Sequence, residues 1–228
     1  MQTIDLAVTA RRALNAALHA LPADTNETLW RVENPGGQHA LAVGLDAPIT
    51  VHIAGHAGYY CAGMNKHATV VIEGNAGVGV AENMMSGKVH VKGDASQSAG
   101  ATAHGGLLVI DGDASARCGI SMKGVDIVVK GSIGHMSAFM AQSGRLVVLG
   151  DAGDALGDSI YEAQLYVRGS VGSLGADCVE KPMREEHYQA LRGLLDAAGL
   201  DEVGVEEFRR YGSSRTLYNF HVDNAAAY

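Results

Sequence analysis

"VHVKGDAS", residues 89–96, is followed nineteen residues later by "LVIDGDAS", residues 108–115. Taking the glycine of each octet as an anchor gives Gly55, Gly74, Gly93, Gly112, Gly131, Gly150 and Gly169, nineteen residues apart at every step. A period that never drifts marks a stacked array of identical structural units.

The fourth residue before each anchor is Val51, Val70, Val89, Leu108, Ile127, Leu146 or Leu165, and the second before it is Ile53, Ile72, Val91, Ile110, Val129, Val148 or Val167. Two apolar columns two residues apart predict a β-strand with one buried face. His52, His90, Glu73, Lys92, Asp111, Lys130 and Arg168 take the alternate positions and are expected to face outward. Asn75, Asp94, Asp113 and Asp151 follow their anchors as turn formers, so the anchor glycines are read as corners. Seven residues past each anchor runs a column of small residues: Ala62, Ala81, Gly100, Gly119, Ala138, Gly157 and Ala176. Columns this uniform need like residues to lie above one another, as in a parallel coil where each repeat is one turn. A βαβ unit needs about 30 residues and does not fit the period. Nor is nineteen a multiple of six, which disfavours a left-handed hexapeptide helix. The fold class read from the sequence is all-β, a right-handed parallel β-helix of about seven turns, its hand taken from the usual bias of parallel crossovers.

Such a stack exposes core and strand edges at both ends and needs caps. Residues 1–48 are expected to form an N-terminal cap, with a short helix through ARRALNAALHAL capped by Thr9 and two strands, LWRVENP and HALAVGL. Residues 49–180 form the β-helix. Residues 181–228 are expected to form a C-terminal helical cap and tail, with a helix over 183–199 stopped by Gly199 and a second helix in VEEFRRYGSS.

Composition agrees with many tight turns and small-residue layers: 30 glycines in 228 residues against 5% aromatics. The net charge of -8, with scattered basic residues, argues against nucleic acid. The N-terminus lacks the apolar run of a signal peptide and no stretch is long enough to cross a bilayer, so a cytoplasmic location is expected and no membrane partner. Three cysteines suit a reducing compartment, and Cys61 and Cys118, three repeats and roughly 14 Å apart, cannot bond.

No catalytic, cofactor-binding or metal site is read in the chain. His52 and His90 lie about 10 Å apart at two strand spacings, too far to share a zinc. GNAGVG, residues 74–79, leads into another β turn rather than the helix a dinucleotide fingerprint opens. Ser121, Ser137 and Ser159 lack a nucleophile context, and Cys118 sits in an inward-looking column that favours a structural thiol. The segments that break the pattern gather large apolar residues instead: GYYCAGMNK (58–66), AENMMSG (81–87), GISMKG (119–124) and GHMSAFM (134–140). Tyr59, Tyr60, Met64, Met84, Met85, Met122 and Met136 are the candidate partner interface, some of them expected to be core.

These irregular stretches, "YYCAGMN … GVAENMMSG … RCGISMKG … GHMSAFMAQSG … LGDAGDALGDS", together with the period, resemble the GXGXG family of β-helix domains. That family includes the C-terminal domain of the glutamate synthase large subunit and the C subunit of formylmethanofuran dehydrogenase. The likeness is greatest to the stand-alone glutamate-synthase-like subunit of N-methylglutamate synthase; it covers about residues 30–180, and the tail EEFRRYGSSRTLYNF more weakly. The resemblance implies a non-catalytic scaffold, with a class II glutamine amidotransferase-like subunit and an FMN-binding glutamate-synthase-like barrel subunit as partners. FMN, and any iron–sulfur cluster, are then expected in the partner subunits. This chain has Gln2 where such an amidotransferase needs a cysteine nucleophile, and Cys61, Cys118 and Cys178 are too dispersed for a cluster. The alternative within the same resemblance is an interaction subunit of a formylmethanofuran dehydrogenase-like one-carbon complex. A polysaccharide-lyase-like groove would need an outward carboxylate or Arg cluster, and Glu73, Lys92, Asp111 and Lys130 alternate in sign instead.

Overall fold

A computed structural model describes residues 1–215. Seven short strands fall on the period: β3 (Thr50–Ile53), β4 (Thr69–Ile72), β5 (Lys88–Val91), β6 (Leu107–Ile110), β7 (Lys123–Val129), β8 (Ser143–Val148) and β9 (Gln164–Val167). Each pairs in parallel with the next at an offset of nineteen, Val70 opposite Val89 and Val89 opposite Leu108, apart from a one-residue slip where β7 and β8 start, Lys123 opposite Ser143, so that the two apolar columns become two buried ladders. After each anchor the chain turns inward at Ala57, Ala76, Ala95, Ala114, Ile133, Ala152 and Val171, which bridge to one another in parallel and make the second side of the coil. No helix interrupts residues 50–175. The fold is an all-β solenoid, a β-helix of about seven turns.

The parallel ladder begins before the periodic region. β1 (Gln2–Asp5) pairs with β2 (Leu29–Glu33), and β2 pairs with β3 at an offset of twenty-one, Trp30 opposite Val51. Residues 39–45, expected as a strand, instead form turns with left-handed backbone at Ala40 and Ala42. Their amides bond to the turn below, Ala40 N to Tyr59 O at 2.7 Å and Gly44 N to Gly63 O at 2.8 Å. They therefore repeat the irregular side of a coil two residues longer than the others. Helix α1 (Arg11–His19) follows Ala10, and Thr9 supplies no cap: no side chain caps this helix. Leu14 and Leu18 are buried against the open end of the core, beside Leu41 and Leu45.

At the other end, VEEFRRYGSS is not a helix. It contains one 3-10 turn, Val205–Glu207, and then β11 (Arg209–Ser213), which pairs antiparallel with β9 and with β10 (Cys178–Lys181). That pairing protects the last parallel edge, which would otherwise present a row of free amides and carbonyls. Helix α2 (Glu185–Ala197) does not cover the end of the stack; it lies along its side. Leu191, Leu194 and Leu195 pack on Val109, Val128, Val147 and Tyr166, the outward residues of β6 to β9, which are fully buried. The same column carries half-buried His52, Val71 and His90 in the turns that α2 does not reach. The tail TLYNFHVDNAAAY lies outside the described residues.

Candidate interaction surface

The third side of each of the first six coils, between the inward corner and the next strand, has an unusual backbone. Residues five, seven and nine past the anchor are left-handed, as at Tyr60, Ala62 and Met64 with φ of 60, 55 and 54°. Gly79, Ala81 and Asn83 repeat the pattern, as do Met136, Ala138 and Met140. Alternation of this kind points successive N–H groups to opposite sides and often builds an anion-binding concavity. Here the amides are consumed within the stack. Tyr60 N donates down to Val78 O at 2.9 Å, Ala62 N up to Leu41 O at 3.0 Å, and Met64 N down to Glu82 O at 2.8 Å. The backbone of this side is thus an inter-turn ladder with no phosphate cradle, and the small-residue column at Ala62, Ala81, Gly100, Gly119, Ala138 and Gly157 is its left-handed centre.

A left-handed φ costs a non-glycine residue roughly 1–2 kcal/mol. Most such positions hold Gly, Ala, Ser, Asn or Thr, but two turns hold large side chains at both outer left-handed positions: Tyr60 with Met64, and Met136 with Met140. Tyr59 is 50% exposed, Met64 47% and Met140 41%. Tyr60 lies over Gly63, where a Cβ would overlap the ring, and receives a 3.4 Å hydrogen bond from Asn83. Tyr59 stacks obliquely on Tyr60 at 5.6 Å and meets the edge of His39 at 6.4 Å. In the fifth turn the ring comes from Phe139, at the place of Gly63, while Met136 takes the place of Tyr60. Each boss is thus one or more rings flanked by methionine.

Of the candidate interface residues, Tyr59, Tyr60, Met64, Met85 and Met136 lie on this side with exposed or half-buried side chains. Met84 and Met122 do not belong to it. Both are 0% exposed and point into the coil among the ladders, so neither can touch a partner. The cause is parity: Met84 lies beside left-handed Asn83 and turns inward, and its neighbour Met85 turns outward. Val78 (40% exposed) and His39 belong to the surface and were absent from the sequence reading. The signal for Val78 was available, since it occupies the column of outward Tyr59.

Elsewhere the polar groups that line clefts are paired as structural elements, while the buried Oδ1 atoms of Asn15 and Asn65 have no hydrogen-bond partner among the described residues. A cleft of about 430 Å³ between α2 and the starts of β7 to β9 is lined by Asp126, Arg145, Glu186 and His187. Arg145 donates to both Asp126 oxygens at 2.7 and 2.6 Å, Arg184 N donates to His187 Nδ1 at 3.0 Å, and Tyr166 Oη donates to Gln164 at 2.6 Å. Burial, then the nearby Arg210, lowers the pKa of His187. Cys61 and Cys118 are buried in the coil and burial pushes each thiol up to about 12, while Cys178 rises to about 11. A thiol this far from ionisation is inert as a nucleophile at neutral pH. Among the described residues no three His, Cys, Asp or Glu side chains converge as metal ligands, and no helix is long and apolar enough to cross a membrane.

No family profile matches the sequence. The chain is 64% identical over 228 residues, all of both proteins, to Protein GlxC of Rhizobium meliloti (strain 1021). The chain belongs to the GlxC family.

Proposed function

We propose that the chain is the non-catalytic, β-helical scaffold subunit of a flavin-dependent glutamate-synthase-like complex, with N-methylglutamate synthase as the specific reading. In that complex glutamate and methylamine give N-methylglutamate and ammonia, with FMN held by the barrel subunit and glutamine chemistry belonging to an amidotransferase-like subunit. One observation carries the scaffold role. The residues that depart from the repeat do not gather nucleophiles or ligands; they raise exposed Tyr and Met side chains on backbone that would be less strained without them. Exposed aromatic and methionine anchors on a rigid support suit protein contacts. The identity of the complex is supported by the likeness of the same irregular segments to the GXGXG family.

The test is purification of the tagged full-length chain at native expression, followed by mass spectrometry and flavin spectroscopy. The expected result is an amidotransferase-like chain and an FMN-containing barrel chain in constant ratio, with the isolated subunit showing neither flavin absorbance nor amidase activity. Co-purification of a molybdopterin or tungstopterin subunit would instead favour the formylmethanofuran-type complex, and stoichiometric flavin on the isolated chain would sink the scaffold role.

A further inference from the structure

We propose that the irregular side of the coil is a saddle that seats one α-helix of a partner chain, an amphipathic helix with an apolar stripe and carboxylates toward both ends. This rests on the scaffold reading and adds to it the place and chemistry of the contact.

The saddle has two rims. Tyr59, Tyr60 and Met64 form the first, and Val78 and Met85 carry its apolar edge onto the two margins of the second turn. Met136, Phe139 and Met140 form the other, in the fifth turn. Between them the floor is low and polar. Ser98 and Thr102 in the third turn and Ser121 in the fourth hold left-handed positions that the rims fill with Tyr or Met, and Arg117 holds the fourth turn's remaining one, at the margin of the floor. Thr102 Oγ1 donates to Asn83 Oδ1 at 2.7 Å, and Asn83 donates to Tyr60, which ties the floor to the first rim. From the second turn to the fifth is three spacings, about 14 Å at ~4.8 Å each, and less one turn's thickness of side chain roughly 10 Å remain. An α-helix with its side chains is about 10–12 Å across.

Charge gives the occupant's sign. Within residues 59–66, 78–85, 97–104, 116–123 and 135–142 the ionic side chains are Lys66, Arg117, Lys123 and Glu82, three cations to one carboxylate, on a chain whose net charge is -8. His104 and His135 add to the same side. Burial raises the pKa of Glu82, and Lys66 is held by Asp46 at 3.1 Å. Arg117 and Lys123 are exposed and pair with no carboxylate among the described residues. Both belong to the fourth turn, Arg117 at one margin of the floor and Lys123 at the other, with His104 beside Lys123. A helix lying across the floor between the rims would present its ends to these cations, which asks for carboxylates there and apolar residues between.

Two double variants of the full chain test this by affinity for the chains that co-purify with it. Met64→Asn with Met140→Asn removes the most exposed methionine of each turn that forms a rim and places a residue that tolerates left-handed φ at each site. Partner affinity should fall at least tenfold while the isolated chain melts no lower than the wild type, a combination that a purely structural role for these methionines would not give. Arg117→Glu with Lys123→Glu should also weaken binding at least tenfold, and more at low salt than at high. Cross-links from Lys123 should land at the acidic end of a partner helix. The saddle is overturned if both variants bind as wild type does, if Met64→Asn with Met140→Asn melts clearly lower, or if Lys123 cross-links to a second copy of this chain. If the co-purifying chains are not glutamate-synthase-like, the proposed complex fails, while the variants still decide whether those chains use the saddle. If nothing co-purifies, both fall.

Discussion

Gly112 does not lie in the left-handed region, yet a Cβ there would overlap Asp94 Oδ1 of the preceding turn. The same holds at Gly93 against Asn75 and at Gly131 against Asp113. The reason is a polar ladder down one corner: Asn75 Oδ1 accepts Asp94 N at 3.0 Å, Asp94 Oδ1 accepts Asp113 N at 2.9 Å, Asp113 Oδ1 accepts Ser132 N at 2.7 Å, and Ser132 Oγ accepts Asp151 N at 3.0 Å. The sequence shows the glycines and the Asx residues as corner formers; the close approach of consecutive turns is a property of the stack and is not written in either residue alone. Gly112→Ala should cost about 1–3 kcal/mol by overpacking. Asp94→Ala should cost about 1 kcal/mol for the lost acceptor, and the double variant should cost less than the sum, because removing Asp94 relieves the closest overlap and leaves only the tight approach of the Gly93 backbone, its oxygen at 2.9 Å. Additive losses in denaturant unfolding would show that the two do not meet. In the apolar ladder beside them, fully buried Ile110→Ala should cost about 2–5 kcal/mol.

At the scale of elements, the strands were legible because period and alternation both act on buried side chains that the sequence displays. The two ends were not. HALAVGL alternates like a strand, yet it repeats the left-handed side of a coil, and only its place in the stack, two residues out of period, reveals this. VEEFRRYGSS has helical composition, but the open edge of β9 offers β11 hydrogen bonds that outweigh propensity. The lateral docking of α2 could have been read from the column that changes from His52, Val71 and His90 to Val109, Val128, Val147 and Tyr166. Leu191→Ala should therefore loosen α2 without opening the coil, with amide exchange rising in residues 185–197 while β3 to β5 stay protected. Just beyond that cover, Asp111 bonds His90 at 2.9 Å and Lys130 at 2.8 Å. Burial raises its pKa, but Lys130 and His90 together outweigh that and hold it below the usual carboxylate range. A depressed folded pKa stabilises above the unfolded value of about 3.9 and is lost as the pH falls below it. Asp111→Asn should accordingly flatten the loss of stability below about pH 4, and an unchanged acid limb would remove Asp111 from that role.

Over the whole molecule the consequence of a drift-free period is that distance along the axis is counted in turns. A surface built across several turns has a width fixed by their number, about 4.8 Å for each, and neither rim of the saddle can move toward the other without breaking the ladders between them. Duplicating residues 94–112 in tandem inserts one complete turn, from the residue after one anchor through the next anchor. The inserted copy presents Asp94 to the turn below as Asp113 is now presented, repeats Leu108 and Ile110 in the core, and leaves a copy of Val109 under α2. Stability in repeat arrays is close to a sum of unit and neighbour terms, so an extra in-register unit should be accommodated. The variant is expected to keep the β spectrum and to melt near the wild type, while the turn-to-turn spacing of the rims grows from about 14 to about 19 Å. A helix that spans the original gap then touches one rim or the other but not both, and partner affinity should fall more than tenfold. Binding that survives the extra turn would place the contact within one rim and remove the saddle from assembly.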